Sequence, residues 1–142
     1  ESPERTPLNH LDIAFANGIY LVGYRYQVHS DMLIVVLAWR ADAAIKADYT
    51  VFVHVVTSDG RRIAQSDAQP HWGAEWPTSR WVPGELVLDG HKLKLPSEAA
   101  RDDLHLEVGL YLWPSLQRLS VLDADGQPIA DHIEIALTLP AS

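Results

Sequence analysis

Residues 104–113, Leu-His-Leu-Glu-Val-Gly-Leu-Tyr-Leu-Trp, alternate without a break: Leu104, Leu106, Val108, Leu110 and Leu112 fall on one parity, and His105, Glu107, Gly109, Tyr111 and Trp113 on the other. A period of two is that of a β-strand, whose successive side chains point to opposite faces, so the five aliphatic residues must point into a core. The pattern recurs along the chain. From Ile19 to Val28, Tyr20, Val22, Tyr24, Tyr26 and Val28 share one parity, and Gly23, Arg25 and Gln27 the other. Met32 to Trp39 and Thr50 to Val56 are apolar at almost every position, which predicts central strands covered on both faces. Segments 61–68, 86–95, 116–122 and 132–139 complete a set of eight or nine strands, and no stretch keeps a 3.6-residue period.

The pattern predicts an all-β chain folded as a two-sheet antiparallel β-sandwich of jelly-roll or immunoglobulin-like topology, with a closed barrel as the alternative. With 142 residues, 47% of them hydrophobic, there is material for one sizeable core and little for a second. Residues 1–11, which include Ser2, Pro3, Thr6 and Pro7, read as a linker or disordered start, and 12–140 as the single sandwich domain. Ser58-Asp59-Gly60-Arg61-Arg62-Ile63-Ala64 is echoed by Ala124-Asp125-Gly126-Gln127-Pro128-Ile129-Ala130. We read the echo as repeated hairpin chemistry, with each glycine taking the positive φ of a tight turn, rather than as a duplicated half-domain.

Several functions are disfavoured from the start. A net charge of −8 opposes nucleic-acid binding and attraction to anionic membranes. No apolar run approaches the roughly 20 residues that span a bilayer, and Glu1-Ser2-Pro3-Glu4-Arg5 lacks the layout of a signal peptide. The chain is therefore expected to be soluble, and it is compatible with a domain cut from something larger. The absence of cysteine excludes a disulfide scaffold, a thiol nucleophile, a thiolate zinc site and an iron–sulfur cluster.

No metal, cofactor or catalytic residue is assigned. Asp123-Ala124-Asp125-Gly126 opens like a calcium loop, but no Asp or Asn follows at the next alternate position and no Glu sits at the expected end, so a turn is the reading adopted. None of the seven histidines forms His-x-His or His-Glu-x-x-His, and His54, between Phe52 and Val56, reads as a hydrogen-bonded core residue. Asp67, Glu75, Glu85, Asp89 and Glu107 are the candidates for the paired carboxylates of a small glycoside hydrolase or lyase, but solvated surface charges or turn partners account for them more simply.

Tryptophan is the unusual component. Five Trp stand beside two Phe and one Met, although an indole N–H needs a partner when buried. Trp39 lies in an apolar strand and reads as core; Trp113 ends the best-patterned strand and is expected to cap a sheet. Trp72, Trp76 and Trp81 crowd into residues 69–85, a connection longer than an ordinary hairpin link. Exposed there, indole faces would lie against the C–H faces of sugars while Asp67, Glu85 and Tyr111 hold hydroxyls; buried, they would plug an open sheet edge. Trp76-Pro77 and Trp113-Pro114 are each sites where a cis peptide is worth checking.

The run Asp48-Tyr49-Thr50-Val51-Phe52-Val53-His54-Val55, with Asp59-Gly60, Ala64-Gln65-Ser66-Asp67, Pro77-Thr78-Ser79-Arg80-Trp81-Val82-Pro83-Gly84-Glu85, Leu93-Lys94-Leu95-Pro96 and Val108-Gly109-Leu110-Tyr111, resembles a known domain type. It is similar to the soluble C-terminal β-sandwich domains of some bacterial multispanning glycosyltransferases, those like the dolichyl-phosphate-mannose mannosyltransferases. The likeness runs from about Phe15 to Asp125 and carries no catalytic signature or binding residue. It implies an extracytoplasmic accessory domain, any transfer chemistry residing in a membrane part absent here. Together these readings predict a non-catalytic binding module, its partner a glycan or another domain. A structural or protein-interaction domain is the alternative, a small hydrolase a more distant one, and the oligomeric state stays open.

Overall fold

Alternation becomes, in the computed structural model of the chain, two antiparallel sheets packed face to face; the structure describes residues 7–141. The strands are β1 (Asn9–Phe15), β2 (Ile19–His29), β3 (Met32–Ala41), β4 (Tyr49–Thr57), β5 (Arg62–Ala68), β6 (His71–Trp72), β7 (Ala74–Glu75), β8 (Val87–Lys94), β9 (Leu104–Leu112), β10 (Gln117–Arg118), β11 (Val121–Leu122), β12 (Pro128–Ala130) and β13 (Ile133–Ala136). One sheet has six strands in the order β12-β11-β1-β2-β3-β8; the other has five, β10-β9-β4-β5 with β13 also on β9. The chain crosses between the sheets after β3, β5, β8, β10 and β12, so neither sheet is built from one continuous segment. This is the expected β-sandwich.

The core lies where parity demands. Leu33, Val35, Leu37 and Trp39 of β3 meet Val51, Val53 and Val55 of β4 and Leu104, Leu106, Val108 and Leu110 of β9 in one buried cluster. β3 and β4 are buried on both faces, as their unbroken apolar runs predicted: Val36, Ala38 and Phe52, which face away from the sandwich interior, are no more than 1% exposed.

Four expectations need correction. Asn9 already pairs with Tyr24, so the sandwich begins before residue 12 and 9–11 belong to β1; the linker reading of residues 1–6 lies outside the described residues. Segment 116–122 is two strands, not one. Leu116 takes φ 62°, and beyond it β10 pairs with β9 while β11 crosses to β1. Leu112 leaves the core at 36% exposure, because β9 there turns into the hairpin with β10. Trp113, just beyond it, is 69% exposed and caps nothing; its peptide bond to Pro114 is cis.

The Asp-Gly echo is one turn used twice. Thr57 N–H donates to the Arg61 carbonyl and Gly60 N–H to that of Thr57, as Asp123 N–H donates to Gln127 and Gly126 N–H to Asp123. Both glycines have positive φ, 91° and 77°. Thr57 Oγ1 accepts the Arg61 N–H at 3.0 Å, just as Asp123 Oδ1 accepts that of Gln127 at 2.9 Å and that of Asp125 at 2.9 Å. The Asp123 carboxylate therefore serves as a turn partner.

Candidate functional site

The long connection between β5 and β8 is folded rather than loose. β6 and β7 form a miniature hairpin around Gly73, and Trp76 N–H closes it onto the Pro70 carbonyl at 2.7 Å. A short 3-10 turn, Thr78–Arg80, then fastens the segment to the start of β4. The buried Thr78 Oγ1 accepts the Tyr49 N–H at 3.1 Å and donates to the Ala47 carbonyl, while Asp48 Oδ1 accepts the Ser79 N–H at 3.0 Å. Trp81 follows into the core beside Trp39, ring centroids 6.4 Å apart, and its indole N–H donates to the Trp76 carbonyl at 2.9 Å.

Trp72 lies on the outside of the six-stranded sheet, over Gly90: a Cβ at that glycine would come within 3.3 Å of the indole six-membered ring. Only a bare backbone lets the ring lie this close to β8. The Arg25 guanidinium is centred 6.0 Å from the same ring. Trp72 forms a wall of a cleft of about 840 Å³, where the edge strands β5 and β8 of the two sheets meet; Ile34, Ser66, His71, Gly73, Gly90, His91 and Lys92 complete the lining.

Under this cleft runs a buried polar chain. The Asp89 carboxylate, 0% exposed, accepts the Trp39 indole N–H at 3.1 Å, the His71 backbone N–H at 3.1 Å and His91 Nε2–H at 2.9 Å. The His91 ring links this carboxylate to Ser66, whose hydroxyl lies 2.8 Å from Nδ1 on the other side of the imidazole. Ser66 is thus held in place at the cleft.

A second concavity, about 360 Å³, opens on the outer face of the five-stranded sheet, with Phe52, His54, Arg62, Asp67, Tyr111, Trp113, Leu116 and Arg118 around it. Arg118 stacks on the Phe52 ring at 4.2 Å. Burial, with a hydrogen bond and charge repulsion from Asp67, pushes the Tyr111 hydroxyl pKa above its ordinary value. Burial also lowers the pKa of His54, outweighing the attraction of Asp67 at 3.5 Å, with Arg62 and Arg118 adding to the fall.

Further along the same face, His105 and Glu107 of β9 meet His132 and Glu134 at β13, with Glu107 directly opposite Glu134. His132 Nδ1–H donates to Asp131 at 2.7 Å. That bond holds the Asp131 carboxyl below its usual pKa. Burial works against the charge on His132, but Asp131, Glu107 and Glu134 more than offset it and raise its pKa.

The residues proposed from sequence do not form one site. Trp72 lines the main cleft; Trp76 is 41% exposed but lies outside it. Trp81 is buried at 4%, so its ring offers no face to a ligand. Asp67 and Tyr111 do come together, on the outer face of the other sheet. Glu85 is exposed in the turn closed by its own N–H on the Val82 carbonyl and reaches neither concavity. Of the five carboxylates considered for hydrolysis, Asp67 lines the smaller concavity and Asp89 is buried under three donors. Ser66, His71, His91 and Lys92 were not anticipated. One signal did exist for the histidine–glutamate group: His-x-Glu occurs twice, at 105–107 and 132–134.

The class defined by this architecture is an all-β sandwich with an indole-walled cleft at the junction of its two sheets. No family model, no curated protein and no solved structure matches the chain.

Proposed function

We propose that the chain is a non-catalytic binding module that takes a carbohydrate in the cleft beside Trp72. One observation carries this reading: an indole 39% exposed, backed by Gly90, forms the wall of the roomy cleft. A sugar has an apolar C–H face and a rim of hydroxyls. The indole face complements the first, and Ser66, His71 and Lys92 supply acceptors and donors for the second. An acidic chain suits an uncharged glycan better than a polyanion. The setting we propose is extracytoplasmic, as an accessory domain beside a membrane glycosyltransferase.

Titration with a panel of neutral oligosaccharides, followed by tryptophan fluorescence and amide chemical shifts, tests the reading. Saturable shifts are expected around Trp72, His71 and Lys92, lost in Trp72→Ala and kept in Trp113→Ala. A flat response across the panel from the folded chain overturns it. A docking role rests on a separate observation, the exposed apolar side chains of Trp113 (69%) and Leu116 (56%) on the hairpin between β9 and β10. Sedimentation should then show a mass that rises with concentration in the wild type and not in Trp113→Ala; a strict monomer removes self-association.

A further inference from the structure

We propose that His105, Glu107, His132 and Glu134 form a binding site for a divalent transition-metal ion of the Zn²⁺ type, which clasps β13 to β9. The site does not depend on the glycan cleft. Its frame is the register Glu134↔Glu107, with Ile133↔Val108 and Ile135↔Leu106 on either side. Ile133 and Ile135 pack toward the core with Val108 and Leu106, so both His-x-Glu pairs are turned to the opposite, outer face.

Two carboxylates directly opposite across a strand pair repel one another, and a sheet tolerates such a pair only when positive charge is near. Among the described residues the ion-pair partners of Glu107 and Glu134 are all imidazoles, never Lys or Arg. Arg118, the nearby guanidinium, is engaged with Asp131 at 3.3 Å and Phe52 at 4.2 Å. Those imidazoles answer the two negative charges only when protonated, whereas a divalent cation shared by the four side chains answers them with the rings neutral.

The separations suit one. His105 Nε2 is 3.5 Å from Glu107 Oε2 and 3.9 Å from Glu134 Oε1; His132 Nε2 is 3.8 Å from Glu107 Oε2 and 3.4 Å from Glu134 Oε2. Four bonds of about 2.0–2.1 Å at tetrahedral angles leave ligand atoms about 3.3–3.4 Å apart; the two imidazoles approach different oxygens of Glu134, so that carboxylate must turn to present one oxygen and His132 must move in for all four to share one ion. One ligand atom each from His105, Glu107 and Glu134 already lies within 4.8 Å of the other two. Imidazole with carboxylate selects Zn²⁺ and its neighbours over Ca²⁺ or Mg²⁺, which prefer oxygen alone.

His132 has the outer partner that metal-bound histidines use. Its Nδ1–H is committed to Asp131 at 2.7 Å, which fixes the ring and turns Nε2 toward the carboxylates.

The test uses untagged protein stripped with EDTA and titrated with ZnSO₄ in a calorimeter, with MgCl₂ and CaCl₂ in parallel. One equivalent of Zn²⁺ should bind and raise the melting temperature, with no saturable heat from Mg²⁺ or Ca²⁺. Glu107→Gln and His105→Ala should abolish that binding, and Asp131→Asn should weaken it about ten- to a hundred-fold. Glu85→Gln should leave it unchanged. Because a ligand variant could lose β13 altogether, assigned imidazole nitrogen shifts of the wild type give a second readout: those of His105 and His132 should move first. The proposal is overturned if no one-to-one Zn²⁺ binding occurs, if binding survives Glu107→Gln, or if the shifts appear at other histidines.

Discussion

His54 occupies the middle of β4 with its ring against Phe52, centroids 4.9 Å apart, facing Arg62 and Asp67 of β5, Arg118 of β10 and, directly opposite on β9, Glu107. Burial holds its pKa below the ordinary imidazole value, so the folded chain resists a proton that the unfolded chain accepts near pH 6.5. The unfolded state then binds more protons, and stability present above about pH 6.5 is lost as the pH falls through that value toward the folded pKa. The urea midpoint of the wild type should drop across this window more than that of His54→Gln; parallel curves for the two would remove His54 as the cause. From sequence, His54 could be placed on a buried strand, because parity and neighbours fix that much. Its charged surroundings could not be read, because Asp67 and Arg118 reach it through strand pairings that no local pattern encodes. The Trp39 indole poses the same problem. Its burial followed from its neighbours, but its acceptor, Asp89, lies 50 residues away on β8.

Along β9, Gly109 stands where the alternation places an outward side chain. The Phe52 ring fills that position: a Cβ at Gly109 would fall 2.5 Å from its nearest atom. Strand propensity alone favours alanine over glycine. Overpacking against an aromatic ring opposes it, and we expect Gly109→Ala to destabilise the chain by about 1–3 kcal/mol, measured by urea denaturation. A neutral or stabilising result would mean that the ring moves aside freely. Strands such as β2, β3, β4 and β9 were legible because a period of two, or an unbroken apolar run, is written in their own residues. The miniature hairpin β6–β7 was not. What holds it lies elsewhere in the chain: Thr78 bonded to residues 47 and 49, the Trp81 indole on the Trp76 carbonyl, and Gly90 beneath Trp72. Three tryptophans crowd into one loop of the sequence, yet only Trp72 of them lines the cleft, since each ring's position depends on distant backbone.

At the scale of the whole molecule, both sheets contribute to one buried cluster, running from Phe15 and Trp39 on one side to Val53 and Leu106 on the other. Neither sheet keeps its apolar face covered without its partner, so unfolding should be a single transition. Tryptophan fluorescence and far-ultraviolet circular dichroism should give one shared urea midpoint; separated midpoints would show that a sheet survives alone. The sandwich was legible at this level because each long strand declares which of its faces is buried. The order of strands was not, because the chain changes sheets after nearly every hairpin. β5, at the rim, belongs to both surfaces of the molecule: Ser66 turns toward the cleft and Asp67, the next residue, toward Phe52 and Tyr111 on the outer face. The two concavities therefore share one phase. A single residue inserted at the Asp59-Gly60 turn and carried through β5 would put Gln65 in the place of Ser66 at the cleft and Ser66 in the place of Asp67 on the outer face, altering both surfaces without a substitution in either.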